Sequence, residues 1–172
     1  MSTPIREGLF FLLPIGAGQY GVGLVARAPR RGGILLGYFF GPRRTTRPGV
    51  EWLNSRFAGQ AACVARFRDQ ALFRGEWPVL PSLPSFDRMQ WPVPAFHRFD
   101  GSITASPGTV TVTDWRVEYG DDNLVTPIHE QPATTAELRL GDDWVYDPRS
   151  LCREVGAQLL TAVPSADDSE WR

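Results

Sequence analysis

The stretch FFLLPIGAGQYGVGLVARAP, Phe10 to Pro29, decides what kind of protein this is. Its letters GAGQYG match the dinucleotide fingerprint G-x-G-x-x-G. That fingerprint binds pyrophosphate only where its glycines close a strand and open a helix whose amides face the phosphates. Here the glycines are followed by QYGVGLVAR, in which Tyr20, Val22, Leu24 and Ala26 recur at every second position. A period of two belongs to a strand, not to a helix. The fingerprint also needs an acid about twenty residues on to hold the ribose, and no Asp or Glu occurs between Glu7 and Glu51. The stretch therefore reads as a hairpin with a glycine-permitted turn. Gly21 and Gly23 share the other face of its second strand, where glycine weakens a strand unless something packs close above it or the sheet bends. The expectation is a strongly curved antiparallel sheet or a small barrel.

Working outward, GLFFLLPI before the turn and ILLGYFF after APRRGG complete three strands joined by two tight turns. GPRRTTRPG is a polar, proline-bounded loop carrying Arg43, Arg44 and Arg47. VEWLNSRF predicts a short central helix, AACVARF a strand, RDQALFRG one or two helical turns ending at Gly75, and EWPVLP another short strand. From Leu80 to His97, Pro81, Pro84, Pro92 and Pro94 forbid a helix interior or a central strand. That segment is expected to run extended over the surface, anchored on its own domain by Phe86, Trp91 and Phe96. GTVTVTDWRVEYG alternates over a long run. It places Val110, Val112, Asp114, Arg116 and Glu118 on one face and Thr111, Thr113, Trp115, Val117 and Tyr119 on the other. LVTPIHE starts another extended piece, and AELRLGDDWVYDP predicts two short strands around a Gly-Asp-Asp turn. In DPRSLCREVGAQLL, Asp147 is placed as N-cap and Pro148 at the first helical position. Leu151, Val155 and Leu159 form a stripe that would bury against the sheet. The fold class is thus α+β, mainly β, with residues 1–164 as one domain and 165–172, which include Trp171, as a frayed tail.

The composition fits an ordinary folded domain: 172 residues, 42% hydrophobic and 22% charged, enough to bury roughly two-thirds of the unfolded surface without staples. Seventeen glycines and fifteen prolines favour short elements over a helical bundle. Cys63 and Cys152 lie among apolar neighbours and read as buried free thiols. REGLFFLLPIGAG is a poor secretory leader, because Glu7 follows Arg6 and Pro14 breaks its apolar core. No window is apolar enough to span a membrane, so the expected location is the cytoplasm. The net charge of −1 conceals a division: residues 1–74 carry eleven arginines against three acids, and residues 75–172 seven against sixteen. There is no lysine. The two halves are expected to fold together and neutralise each other across one domain.

No catalytic, metal or cofactor set emerges. His97 and His129 have no Cys or His partner at ligand spacing, and the adjacent pairs Asp121–Asp122 and Asp142–Asp143 lack the alternate spacing of a calcium loop. There is no G-x-S-x-G elbow and no lysine for a phosphate-binding loop. A nucleic-acid reading would use the N-terminal arginines with Tyr20, Tyr38 and Phe39 as stacking residues, but no recognition motif accompanies them.

The order of motifs carries more. REGLFFLLPIGAGQYGVGLVAR resembles the opening of the immunity protein 26 family of bacterial polymorphic toxin systems: a strand, Ile-Pro-Leu, a glycine turn and Tyr-Gly-x-Gly-x-Val. LFRGEWPVLP is similar to that family's Gly-x-Trp-x-x-Ile-Gly segment and WPVPAFHR to its Pro-x-Pro-x-Phe segment. ELRLGDDWVYDPRSLCREV is similar to its closing strand and helix, so the likeness runs from residue 6 to about residue 160. Glu7 and Gly8 depart from the usual Gly-Asp order, and the arginine loop is this chain's own. The resemblance implies a non-catalytic cytoplasmic protein that binds and neutralises a cognate toxin domain in interbacterial competition. If that toxin has a basic groove, Asp121, Asp122, Asp142 and Asp143 would meet it. Arg43, Arg44 and Arg47 are the other candidate partner contacts.

Overall fold

The computed structural model describes residues 4–30, 33–103 and 110–161. The 165–172 tail, with Trp171, lies outside them. Strands β1 (Leu9–Gly16), β2 (Gln19–Arg27) and β3 (Ile34–Arg44) form an antiparallel meander, as the alternation predicts. The β1–β2 turn runs through Gly16, Ala17 and Gly18, all three with positive φ, which explains why two of the three are glycine. A strand, not a helix, follows the turn. Its amides are spent on strand pairing and build no phosphate cradle.

Helix α1 (Val50–Asn54) leads to β4 (Cys63–Arg68), then α2 (Gln70–Phe73), which ends at Gly75, and β5 (Val79–Ser82). The proline-rich strap follows, then β6 (Phe96–Ile103), β7 (Val110–Glu118), β8 (His129–Pro132), β9 (Val145–Tyr146) and α3 (Pro148–Thr161). Two sheets result: six strands in the order β5-β1-β2-β3-β4-β9, and three in the order β6-β7-β8. The larger sheet ends in β5 and β9 and does not close, so the barrel alternative gives way to an open sheet. Register shifts in β1–β2, β1–β5 and β2–β3 mark bulges, which bend and twist the strands they interrupt. A second correction concerns Glu137–Arg139: it is a single 3-10 turn where a strand was expected. Glu137 accepts bonds from the Thr134 amide and hydroxyl, both at 2.8 Å, and that local ring competes with strand pairing.

Both faces of the six-stranded sheet are covered. On one, Leu151, Val155 and Leu159 of α3 pack with Leu9, Phe11, Leu13, Phe39 and Phe67. Gly21 lies under Leu159, and Gly23 under the Phe11 ring, where an added Cβ would sit 2.3 Å from Cζ. The close approach is what these strand glycines allow. On the other face, Phe10, Leu12, Val22, Leu24, Tyr38 and Phe40 meet Phe96, Val117 and Tyr119 of the smaller sheet and Trp91 of the strap. Trp91 packs edge-on against Tyr38 and Phe40, so the strap belongs to this core, as its aromatic anchors require.

Helix α3 starts as its first residues dictate. Asp147 Oδ1 accepts from the amides of Arg149 (2.9 Å) and Ser150 (3.1 Å) and its Oδ2 from the Ser150 hydroxyl (2.7 Å); the hydroxyl bond first, then the amide bonds, hold its carboxyl below the usual carboxylate range.

Candidate partner-binding surface

The two aspartate pairs lie on two separate turns, one after β7 and one before β9. The first sits on the turn after β7, where Gly120 bridges to Asn123. Asn123 Oδ1 accepts from the amides of Val125 (2.9 Å) and Thr126 (3.1 Å) and fixes the loop. The second lies in the segment entering β9. The His97 amide donates to Gly141 (2.8 Å) and the Asp143 amide to the His97 carbonyl (2.6 Å), which ties that segment to β6.

Arg66 of β4 fastens the two turns together. Its Nη1 donates to the Leu124 carbonyl at 2.7 Å and its Nη2 to Asp143 Oδ1. The guanidinium lies 3.9 Å from the centroid of the Tyr119 ring and 5.5 Å from that of Phe96. The Tyr119 hydroxyl donates to the same Asp143 oxygen at 2.8 Å. Burial first, and then that bond to an anion, push the Tyr119 hydroxyl well above the ordinary tyrosine range. Asp143 is only 3% exposed, so it works inside the molecule rather than on its surface.

The other three aspartates reach solvent. Asp121, 53% exposed, pairs at 2.6 Å with Arg27, which is buried and also donates to the Ala26 and Arg88 carbonyls. Asp122, 81% exposed, pairs with Arg88 at 3.0 Å. Arg88 is gripped in turn by both carboxylate oxygens of Glu7 at 2.7 Å, and these bonds raise its pKa above the ordinary guanidinium range. Asp142 is exposed and, among the described residues, engaged through its backbone. The cross-pairs Arg27–Asp121 and Arg66–Asp143 join the basic half of the chain to the acidic half, as the charge division predicts.

Beside these acids stand apolar side chains that sequence reasoning did not single out. Trp144 is 63% exposed next to Asp142 and Asp143, and Val125 is 55% exposed next to the Leu124 that Arg66 holds. Nothing in GDDWVY distinguishes an outward tryptophan from Trp52, Trp77 or Trp91, which are buried.

Residues 41–44, read from the sequence as loop, instead end strand β3, where Arg44 pairs with Tyr20, and Arg43, Arg44 and Arg47 do not form one cationic face. Arg43 donates to the Gly156 carbonyl in α3, and the Arg44 guanidinium lies 4.2 Å from the Trp52 ring centroid with Arg56 at 4.3 Å. Arg47 is exposed. Tyr38 and Phe39 are buried on opposite faces of the sheet, so they offer no platform for bases. Cys63 and Cys152 are free thiols that burial pushes up to about 12 and about 11. Among the described residues no group of three His, Cys, Asp or Glu converges to hold a metal, and no helix is long and apolar enough to cross a membrane.

Comparison with known families meets this geometry at the scaffold. The family model described as Immunity protein 26 matches residues 6–105, more than half of the chain. The chain belongs to the immunity protein 26 family. The matched residues include β1 to β6 with Arg27, Arg66 and Arg88; Asp121, Asp122, Asp142, Asp143 and Trp144 fall beyond them, as does the closing strand and helix. No curated protein and no solved structure matches the chain.

Proposed function

We propose that this protein is a non-catalytic immunity protein that binds and neutralises a cognate toxin domain of a polymorphic or contact-dependent system in the bacterial cytoplasm. Membership of the family is the observation that carries this reading. The geometry supports it in one respect: an exposed tryptophan and exposed acids stand on two turns that the buried Arg27 and Arg66 fasten. Tryptophan is enriched among the residues that dominate binding energy, and rim charges steer encounter. In this reading Asp121, Asp122, Asp142 and Trp144 face the toxin, Asp143 sets their position from beneath, and Arg47 is the loop arginine left to reach a partner.

The test uses the toxin domain encoded in the neighbouring reading frame. Co-expression should protect a host from it, and calorimetry should detect a complex. Trp144→Ala should cost about 2 kcal/mol of binding or more. Replacing Asp121, Asp122 and Asp142 together by Asn should weaken binding and flatten its salt dependence. Unchanged affinity in both variants moves the interface elsewhere on the protein; no protection and no complex overturns the immunity reading.

A further inference from the structure

We propose that the cleft between helix α3 and residues 139–142 receives one basic side chain of the toxin, held by the carboxylates of Glu154 and Asp142 and by the Tyr146 hydroxyl. This deepens the toxin-binding reading and rests on it.

The cleft has a volume of about 390 Å³, within the range of pockets that enclose a ligand group. Ala65, Phe96 and Val155 line it and are buried, and Pro94 and Ala95 line it half-buried. Against this apolar lining stand Glu154 and Tyr146, both half-buried, and the exposed Asp142. The cleft does not offer a strand edge. The Gly141 backbone, which accepts the His97 amide of β6, lies against β4, so that an added Gly141 Cβ would sit 3.4 Å from the Val64 carbonyl oxygen. A side chain can enter there; a paired backbone cannot.

Charge complementarity specifies the occupant. Glu154 accepts a bond from the Gln158 amide at 3.2 Å and has no cationic partner among the described residues. The Asp142 carboxylate and the Tyr146 hydroxyl have no hydrogen-bond partner among them either. The fields of both acids meet at Tyr146: burial first, then Glu154 and then Asp142 push its hydroxyl up to about 12. Arg139 is the one cation lining the cleft; it is exposed and makes no ion pair among the described residues, so the acids outnumber it. A carboxylate half removed from water gains more from an entering cation than one on an open surface, because the attraction is screened less. A basic side chain suits both parts of the site, its methylene stem lying on the apolar lining while its head meets the acids. Asp142 also adjoins the exposed Trp144, so the cleft borders the face already assigned to the toxin.

Calorimetry over a salt series tests this, with the full chain and the catalytically inactivated toxin domain of the neighbouring reading frame. Glu154→Gln should melt with the wild type, bind at least about fivefold more weakly and show a shallower salt dependence. Arg139→Gln, which removes the chain's own cation from the cleft, should bind as tightly as the wild type or more tightly. A double-mutant cycle then names the occupant. When the toxin's arginines and lysines are replaced one at a time by Met, one replacement should weaken binding to the wild type but cost at least about fivefold less against Glu154→Gln. The proposal is overturned, and the immunity reading stands, if Glu154→Gln binds like the wild type or if no basic residue of the toxin couples to Glu154. It is equally overturned if Arg139→Gln loses as much affinity as Glu154→Gln, because the cleft would then serve an acid. A wild-type protein that neither binds nor protects overturns both readings.

Discussion

Beneath α3 the six-stranded sheet is sealed by hydrocarbon and rings: Phe11 stacks on Trp77 with centroids 5.6 Å apart and meets Phe39 edge-on, while Leu151, Val155 and Leu159 close over the top. Toward the smaller sheet the aromatic core continues, but its margin is closed by buried arginines, Arg27 and Arg66, that reach aspartates 94 and 77 residues away. The first face needs volume and periodicity. The second needs partners, because a guanidinium removed from water is tolerated only when its charge and donors are satisfied. The polar margin also holds the turns that carry the exposed acids and Trp144.

Asp143→Ala tests the polar margin and carries the largest expected effect. It leaves Arg66 charged among Tyr119 and Phe96 without its carboxylate, which should cost about 3–5 kcal/mol in urea unfolding. Replacing Arg66 and Asp143 together by Met and Leu should restore much of that loss while toxin binding, where present, stays impaired. A loss below 1 kcal/mol for the single change would mean that the pair does not fasten the turns. Next in size, Gly23→Ala probes the apolar face. Its new Cβ would meet the Phe11 ring at 2.3 Å, and overpacking of this kind costs about 1–3 kcal/mol. Phe11→Leu in the same chain should recover part of it in a double-mutant cycle. Additive losses would show that ring and glycine are not coupled.

The contrast also explains what could be read beforehand. The β1–β3 meander, the α3 stripe and its Asp147 cap are local patterns in which each residue's neighbours in sequence are its neighbours in space. Residues 137–139 misled because the bonds from Thr134 to Glu137 are set by side-chain geometry that the alternation of AELRL does not register. The division into two sheets was not legible, since antiparallel strands of both carry the same period. At the surface, the aspartates were found by type but not by role: Asp121 and Asp143 occupy similar turns and both pair with a buried arginine, and only the exposure of their side chains, 53% against 3%, separates a rim acid from a buried one.

Asp121→Asn sharpens the comparison between those two acids. Asp121 is half-exposed, and Arg27 keeps the Ala26 and Arg88 carbonyls, so the loss should be about 1 kcal/mol or less, against several for Asp143. Equal losses would mean that burial is not what distinguishes the two pairs.

An effect of similar size at neutral pH, and the last check on the mixed face, concerns Tyr38. Its hydroxyl donates to the Pro92 carbonyl and so pins the strap to β3. Burial pushes its pKa from 10.0 up to about 12, the Arg27 charge opposing. The folded value lies above the unfolded one, so the native state holds this proton longer. The stability it contributes is complete below pH 10 and lost as pH rises through about 12. Tyr38→Phe should lower stability at neutral pH by about 1 kcal/mol, the net worth of one hydrogen bond, and flatten the decline across that alkaline window. Urea midpoints at a series of pH values measure both effects. A variant that declines as steeply as the wild type would place the alkaline sensitivity with Tyr119 and Tyr146, whose hydroxyls burial also raises.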